Sequence, residues 1–319
     1  MSSVAVIGAG AWGTALAIQA SRAGAAVTLW ARDPGRAVSI ATTRENPRLP
    51  GARLPEMIRV TAELPSADDA LLIAVPTQHM RAVAAHLPAG APLVCCAKGV
   101  EAGTLRLPLE VLAELHPNAP IAVLTGPNFA GEIAAGLPAA SVVAAIDPAL
   151  RARIVDLLAT PTFRVYGNDD PIGAQVGGAA KNVIAIAAGA VIGAGLGENA
   201  RAGLISRGLA EMARLATALG GRTETVMGLS GLGDLLLTCT SPTSRNYSLG
   251  LALGGGEALA DILAARTTVA EGVATAPALV ARAGGVDMPI CRAVADCLQG
   301  RTTLTRAIAE LLARPRRDE

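Results

Sequence analysis

Three residues into the chain, the β-branched run VAVIG (4–8) passes directly into GAGAWG, with glycines at 8, 10 and 13. No other stretch restricts the fold as strongly. A short apolar strand must turn within a few residues and continue as the Ala/Leu-rich helix expected over 12–23, which leads to a second strand, AVTLW (26–30). In this context Gly8 makes the tight turn, Gly10 lets a ligand approach the backbone, and Gly13 allows helix and strand to pack closely. The new helix points its free N–H groups and the positive end of its dipole at whatever lies above the loop, so Ala11 and Trp12 stand with the glycines at an anion site. The expected ligand is a dinucleotide pyrophosphate.

The same alternation continues downstream. Strands are expected at ALLIAV (70–75), PLVCCA (92–97), IAVLTG (121–126), ASVVAA (140–145) and FRVYG (163–167), with helical segments at 77–87 and 105–115 between them. Continuous apolar strands separated by helices indicate a parallel sheet covered on both faces. The fold class is therefore α/β, a Rossmann-type doubly wound sheet with a mixed extension at its far end. After Gly167 strand-like runs nearly vanish and Ala/Leu-rich helical patterns take over. Asp170 and Pro171 suit the N-cap and first position of a new helix. We place the boundary there, with a dinucleotide-binding domain over 1–168 and an all-helical substrate-binding domain over 169–319.

Composition narrows the function classes. The 319 residues are 51% hydrophobic and 17% charged with a formal net charge of +1, which favours neither nucleic acid nor an anionic membrane as partner. Five cysteines without a C-x-x-C pair fit a reduced compartment, and no Cys/His cluster has metal-ligand spacing. The N-terminus has no basic region ahead of its apolar run, unlike a signal peptide.

Where, then, is the chemistry? Between Asp170 and Glu198 Lys181 is the only formally charged side chain. Burying an ammonium is costly unless it is paired or used. The apolar part after it, 182–197, is short for a membrane span and rich in glycine, so a buried helix is expected. Gly177 and Gly178, one turn before the lysine, would let a ligand approach the helix closely. At the end of the second strand Arg32 occupies the place where an acid commonly binds the ribose 2′-hydroxyl, with Asp33 beside it. A guanidinium there pairs with a 2′-phosphate, so NADP(H) is expected to be preferred over NAD(H), with Asp33 leaving room for NAD(H) and an ordinary surface Arg32 as the alternative.

Beyond GAGAWGTALA, the motifs AVPTQ (74–78), AKGVE (97–101), TGPNFA (125–130), AAKNVIAIAAG (179–189), NARAGLISRGLAEM (199–212), GLSGLGDLLLTCTSPTSRN (228–246) and VAEGV (269–273) follow in order. Together they closely resemble bacterial NAD(P)-dependent glycerol-3-phosphate dehydrogenases from the first strand to about residue 300. The chain differs from many members at Asn128, where serine is common, and in NPRLPG (46–51), where an aromatic often precedes the leucine. The resemblance implies reversible reduction of dihydroxyacetone phosphate to sn-glycerol 3-phosphate, a cytoplasmic enzyme supplying phospholipid precursor, and commonly a homodimer.

It also implies site residues. Lys181 is the acid/base, and a cation there neutralises the oxyanion as it forms. Lys98, just beyond the strand PLVCCA, positions substrate and polarises its carbonyl, and also reaches the cofactor. Asp234 orients Lys181 or caps a helix in SGLGD, and Asn182 and Thr238 support the pair. Ser244 caps the helix that follows it, placing Arg245 and Asn246 in a first turn suited to phosphate; Arg245 contacts substrate, cofactor or both. Gly126 and Asn128 approach the substrate, and Ala130, Val269 and Glu271 the nicotinamide, by resemblance alone. The competing readings are a dehydrogenase of the 3-hydroxyacid or 6-phosphogluconate type and a non-catalytic NADPH-sensing protein.

Overall fold

The structure is a computed structural model describing residues 2–266 and 270–315. The chain divides into two compact units. The first comprises residues 1–98 and 106–175, the second 99–105 and 176–319.

The first unit is built on one eight-stranded sheet: β1 (Ser3–Ile7), β2 (Ala26–Trp30), β3 (Arg59–Thr61), β4 (Ala70–Ile73), β5 (Leu93–Cys95), β6 (Ile121–Thr125), β7 (Ala139–Ala144) and β8 (Phe163–Asn168). Its strand order is β3-β2-β1-β4-β5-β6-β7-β8. Strands β1 to β6 are parallel to their neighbours; β7 runs antiparallel to β6, and β8 parallel to β7. The doubly wound sheet with a mixed far end is thus present. Both faces are buried: Val4, Val6, Leu29 and Leu72 belong to one apolar cluster, while Ala5, Ile7, Leu71 and Ile73 are equally inaccessible. That explains strands that read as continuous apolar runs.

Six helices lie wholly in this unit: α1 (Ala11–Arg22), α2 (Pro34–Thr43), α3 (Thr77–Ala84), α4 (Pro108–Leu115), α5 (Ala130–Ala135) and α6 (Pro148–Leu158). Sequence periodicity finds α1, α3 and α4 but misjudges some ends. Helix α4 starts at Pro108, since Leu105 sits at φ +61 and Pro108 is at home in a first turn. Strands β4 and β5 end at Ile73 and Cys95, so 74–75 and 96–97 are loop rather than strand. Strand β3 goes unpredicted because RVT is a short, partly exposed edge.

The second unit contains no strand among the described residues. Its helices are α7 (Pro171–Gly193, which begins in the first unit), α8 (Gly197–Ala218), α9 (Thr223–Val226), α10 (Asp234–Thr240), α11 (Arg245–Gly254), α12 (Leu259–Ala264), α13 (Glu271–Ala283), α14 (Pro289–Leu298) and α15 (Leu304–Leu312). A π-helical turn, Leu229–Gly233, leads into α10. Asp170 caps α7 as expected, accepting from the Gly173 N–H at 2.8 Å. With the turns before Lys181 included, α7 has 23 residues and is long and apolar enough, by length and composition alone, to cross a membrane, but 83% of its most apolar stretch is buried inside the protein, as expected of a buried helix.

Glycine lets α7 and its neighbours approach at backbone distance. A Cβ at Gly189 would lie 2.0 Å from Tyr247 O, and one at Gly250 1.9 Å from Ile186 O. Helices α7 and α11 therefore meet through glycines on both sides. At Gly177 a Cβ would lie 2.4 Å from Ser230 O. What approaches α7 at Gly177 is the π-turn backbone and not a ligand, which corrects the expectation for that position.

Candidate active site

In the first unit the glycine loop has the form its residues require. Gly8 lies at φ +118, and its N–H donates to Trp30 O at 3.1 Å. A Cβ on Gly13 would sit 1.9 Å from Gly8 O, a distance no side chain tolerates, whereas nothing lies within 4 Å of one on Gly10. Open space thus stands over the middle glycine, and tight packing holds the other two. Helix α1 has no side-chain cap, and its first N–H groups have no acceptor within the helix. The half-buried Ala11 and Trp12 begin this turn. Asn46, from NPRLPG, is 1% exposed and donates to Ala9 O at 3.2 Å and Thr14 Oγ1 at 2.7 Å. Sequence reasoning did not single it out; a buried-type Asn ahead of a proline turn carries no distinguishing signal.

Orphaned polar atoms mark the same sheet edge. The buried hydroxyls of Thr77, opening α3 after β4, and Thr125, ending β6, have no hydrogen-bond partner among the described residues, nor has Asn128 Oδ1. The other end of Asn128 donates to Ser141 Oγ at 2.7 Å. Lys98, half-buried beyond β5, donates to Gly126 O at 3.0 Å, so those two predicted residues do meet. Gly126 lies at φ +132, a conformation few L-residues adopt. Ala130 opens α5. Ligands of doubly wound sheets bind beyond the carboxyl ends of the strands. An open glycine cradle and unsatisfied polar atoms at that edge fit a dinucleotide.

Past the end of β2, Arg32 is exposed. Asp33 is engaged otherwise: its carboxylate caps α2 by accepting from the Arg36 N–H at 2.7 Å. It is thereby less available to a ribose hydroxyl.

In the second unit α7 and α10 bring the proposed acid/base and its partners together. Lys181 is 8% exposed; its Nζ donates to Asp234 Oδ1 at 2.7 Å and to Thr238 Oγ1 at 2.9 Å. Thr238 in turn donates to the Asp234 backbone carbonyl at 2.6 Å, one turn back on α10, so its oxygen is left to accept from the lysine. Asp234 is the first residue of α10 and pairs with Lys181 from there; the N-cap is Gly233 and no side chain caps the helix, so the helix-cap reading of Asp234 is not what the structure shows. Burial, helped by the Asp234 charge and opposed by Lys181, pushes the neighbouring Cys239 thiol up to about 12. The thiol is protonated and inert at neutral pH, and all five cysteines are free.

Ser244 caps α11 by accepting from the Tyr247 N–H at 3.2 Å, which leaves Arg245 exposed in the first turn. Asn246 is 7% exposed, and its side chain is used within the protein. It donates to Asn182 Oδ1 and accepts from the Gly272 N–H, both at 2.9 Å. Glu271 opens α13; Val269 lies outside the described residues. A separate cavity of about 830 Å³, lined by Leu204, Ile290 and Leu304 among others, contains none of the predicted residues.

A Rossmann unit with an open glycine cradle, joined to a helical unit with a buried Lys–Asp–Thr cluster, defines a nicotinamide-dependent oxidoreductase. The comparisons agree. Residues 3–151 match the N-terminal model and 170–309 the C-terminal model of NAD-dependent glycerol-3-phosphate dehydrogenase. The chain is 56% identical over 325 aligned residues to glycerol-3-phosphate dehydrogenase [NAD(P)+] of Caulobacter vibrioides, covering 99% of this chain and 98% of that protein. It is 59% identical to the protein of that name from Acidiphilium cryptum, with the same coverage. The crystal structure of glycerol-3-phosphate dehydrogenase from Coxiella burnetii superposes with a TM-score of 0.93 at 37% identity, covering 98% of this chain and 99% of that one. The chain belongs to the NAD-dependent glycerol-3-phosphate dehydrogenase family.

Proposed function

We propose that this protein reversibly reduces dihydroxyacetone phosphate to sn-glycerol 3-phosphate, with NADPH preferred over NADH. The carrying observation is the buried Lys181, held by Asp234 and Thr238 at 2.7 and 2.9 Å in a chain of this family. When bound, the reduced cofactor supplies a hydride to the ketone carbon. Lys181 gives its proton to the carbonyl oxygen as negative charge develops there, and in the reverse direction takes the hydroxyl proton. Asp234 fixes the direction of the ammonium. Lys98 polarises the carbonyl and positions the substrate, with Gly126 and Asn128 beside it. Arg245, free of the cap that Ser244 supplies, binds phosphate, and Asn182 donates hydrogen bonds to the substrate.

Gly8, Gly10, Ala11, Trp12 and Gly13 hold the pyrophosphate. Arg32 pairs with the 2′-phosphate, a reading supported by its exposure and by Asp33's engagement as a cap. Ala130, Arg245, Val269 and Glu271 complete the cofactor site by resemblance. The same reading takes 1–168 and 169–319 as the cofactor and substrate domains, and the enzyme as a cytoplasmic homodimer feeding phospholipid synthesis.

Following NADPH absorbance with dihydroxyacetone phosphate tests the reaction. Oxidation only when that substrate is present supports it. Oxidation with 3-hydroxyacid-type ketones instead, or with none, defeats it. Lys181→Ala should lower kcat by about 10²–10⁴-fold while NADPH still binds.

A further inference from the structure

Asn182, next to Lys181, ends a chain of hydrogen bonds that begins at a backbone amide. Gly272 is the second residue of α13 and its N–H can only donate. It donates to Asn246 Oδ1 at 2.9 Å, which leaves the Asn246 amide nitrogen on the other side, where it donates to Asn182 Oδ1 at 2.9 Å. Asn182 is therefore turned with its own nitrogen away from the chain. Those two N–H groups make no hydrogen bond among the described residues, although Asn182 is only 4% exposed. The two ends of a side-chain amide are nearly alike in shape and opposite in hydrogen bonding, so packing does not choose between them. Here an obligate backbone donor chooses for both residues in sequence.

We propose that Gly272 and Asn246 act as positioning residues, forming an orientation relay that holds Asn182 as a double donor toward the oxygens of an anionic, phosphorylated substrate. This rests on the proposed function. Gly272 is required for a second reason as well. A Cβ there would lie 2.7 Å from Asn246 Oδ1 and 2.8 Å from both Asn182 O and Ile186 Cδ1. Even a methyl group would push against the relay itself, while alanine at a helix start does not weaken the helix.

Two variants disturb the relay by different means. Gly272→Ala displaces it without changing charge. Asn246→Asp still accepts from the Gly272 N–H, and so still caps α13, but has nothing to donate to Asn182, whose amide then turns its oxygen to the substrate. Each should raise the KM for dihydroxyacetone phosphate about tenfold or more, the equivalent of one hydrogen bond to a charged group. The Kd for NADPH and the Tm should stay near wild type in Asn246→Asp, since a purely structural cap would be preserved there. An unchanged KM in either folded variant overturns the relay. The side-chain NH₂ resonances of Asn182, assigned by their loss in Asn182→Asp, give a readout without turnover. They should shift when glycerol 3-phosphate is added to wild type; resonances indifferent to it overturn the proposal even if neither relay variant folds. Failure of the wild type to oxidise NADPH with dihydroxyacetone phosphate would instead bring down the proposed function.

Discussion

Lys181 and Asp234 share a buried site, with side chains 10% and 1% exposed and 2.7 Å apart. Each charge is tolerable there because the other is present. Removing one partner leaves an uncompensated buried charge, which costs about 3–5 kcal/mol, whereas replacing both with apolar groups of similar size is often neutral. Asp234→Ala should therefore lower unfolding stability in urea by about that amount, and Lys181→Met with Asp234→Leu should restore most of it without restoring activity. Arg32 belongs to the same scale. Because Asp33 already accepts from Arg36 N, Arg32→Asp should turn cofactor preference around, with the ratio of kcat/KM for NADPH over NADH falling about tenfold or more. An unchanged ratio would remove Arg32 from the 2′-phosphate site. The lysine was legible in the sequence because it is a lone charge in an apolar run. Asn46 and Gly272 were not, because a side chain that only holds other protein groups looks like any other Asn or Gly.

Among the elements, glycine has two opposite roles that sequence does not separate. Gly250 of α11 faces α7, where a Cβ would stand 1.9 Å from Ile186 O. Gly203 of α8 has nothing within 4 Å. Gly250→Ala should destabilise by about 1–3 kcal/mol, as overpacking does. Gly203→Ala should stabilise by about 0.5–1 kcal/mol through helix propensity alone. Thermal unfolding of both checks the contrast; similar Tm shifts would mean the α7–α11 crossing gives way easily. Caps, in contrast, were readable: Asp170 with Pro171 and Ser244 with its following turn start α7 and α11 as their residue types require. Strand β3 was not, since three residues at an exposed sheet edge lack the apolar run that marked its neighbours.

Over the whole chain, Glu211 couples stability to pH. It is 1% exposed on α8 and its carboxylate accepts from the N–H groups of Ile290 at 2.6 Å and Cys291 at 3.1 Å, capping α14. Burial raises its pKa above the ordinary 4.5, against the lowering effect of those two bonds. The folded form thus holds its proton more tightly than the unfolded chain. Its contribution is fully present below about pH 4.5 and is lost as pH rises through the raised value. Glu211→Gln should flatten that part of the stability profile, measured by urea unfolding across the acid range; an unaltered slope would assign it to other groups. Strand–turn–helix order, the glycine loop, the switch to helices after Gly167 and Lys181 as the lone charge of a buried helix were legible from sequence alone, because period, turn geometry and the cost of a buried charge are local constraints. Only the tertiary structure could give the distances at which Asp234 and Thr238 meet Lys181, and decide that Asn246 joins Asn182 to Gly272 and that Gly177 packs on Ser230. These contacts link residues 26 to 64 positions apart, and their distance is set by how helices cross, not by any pattern along one of them.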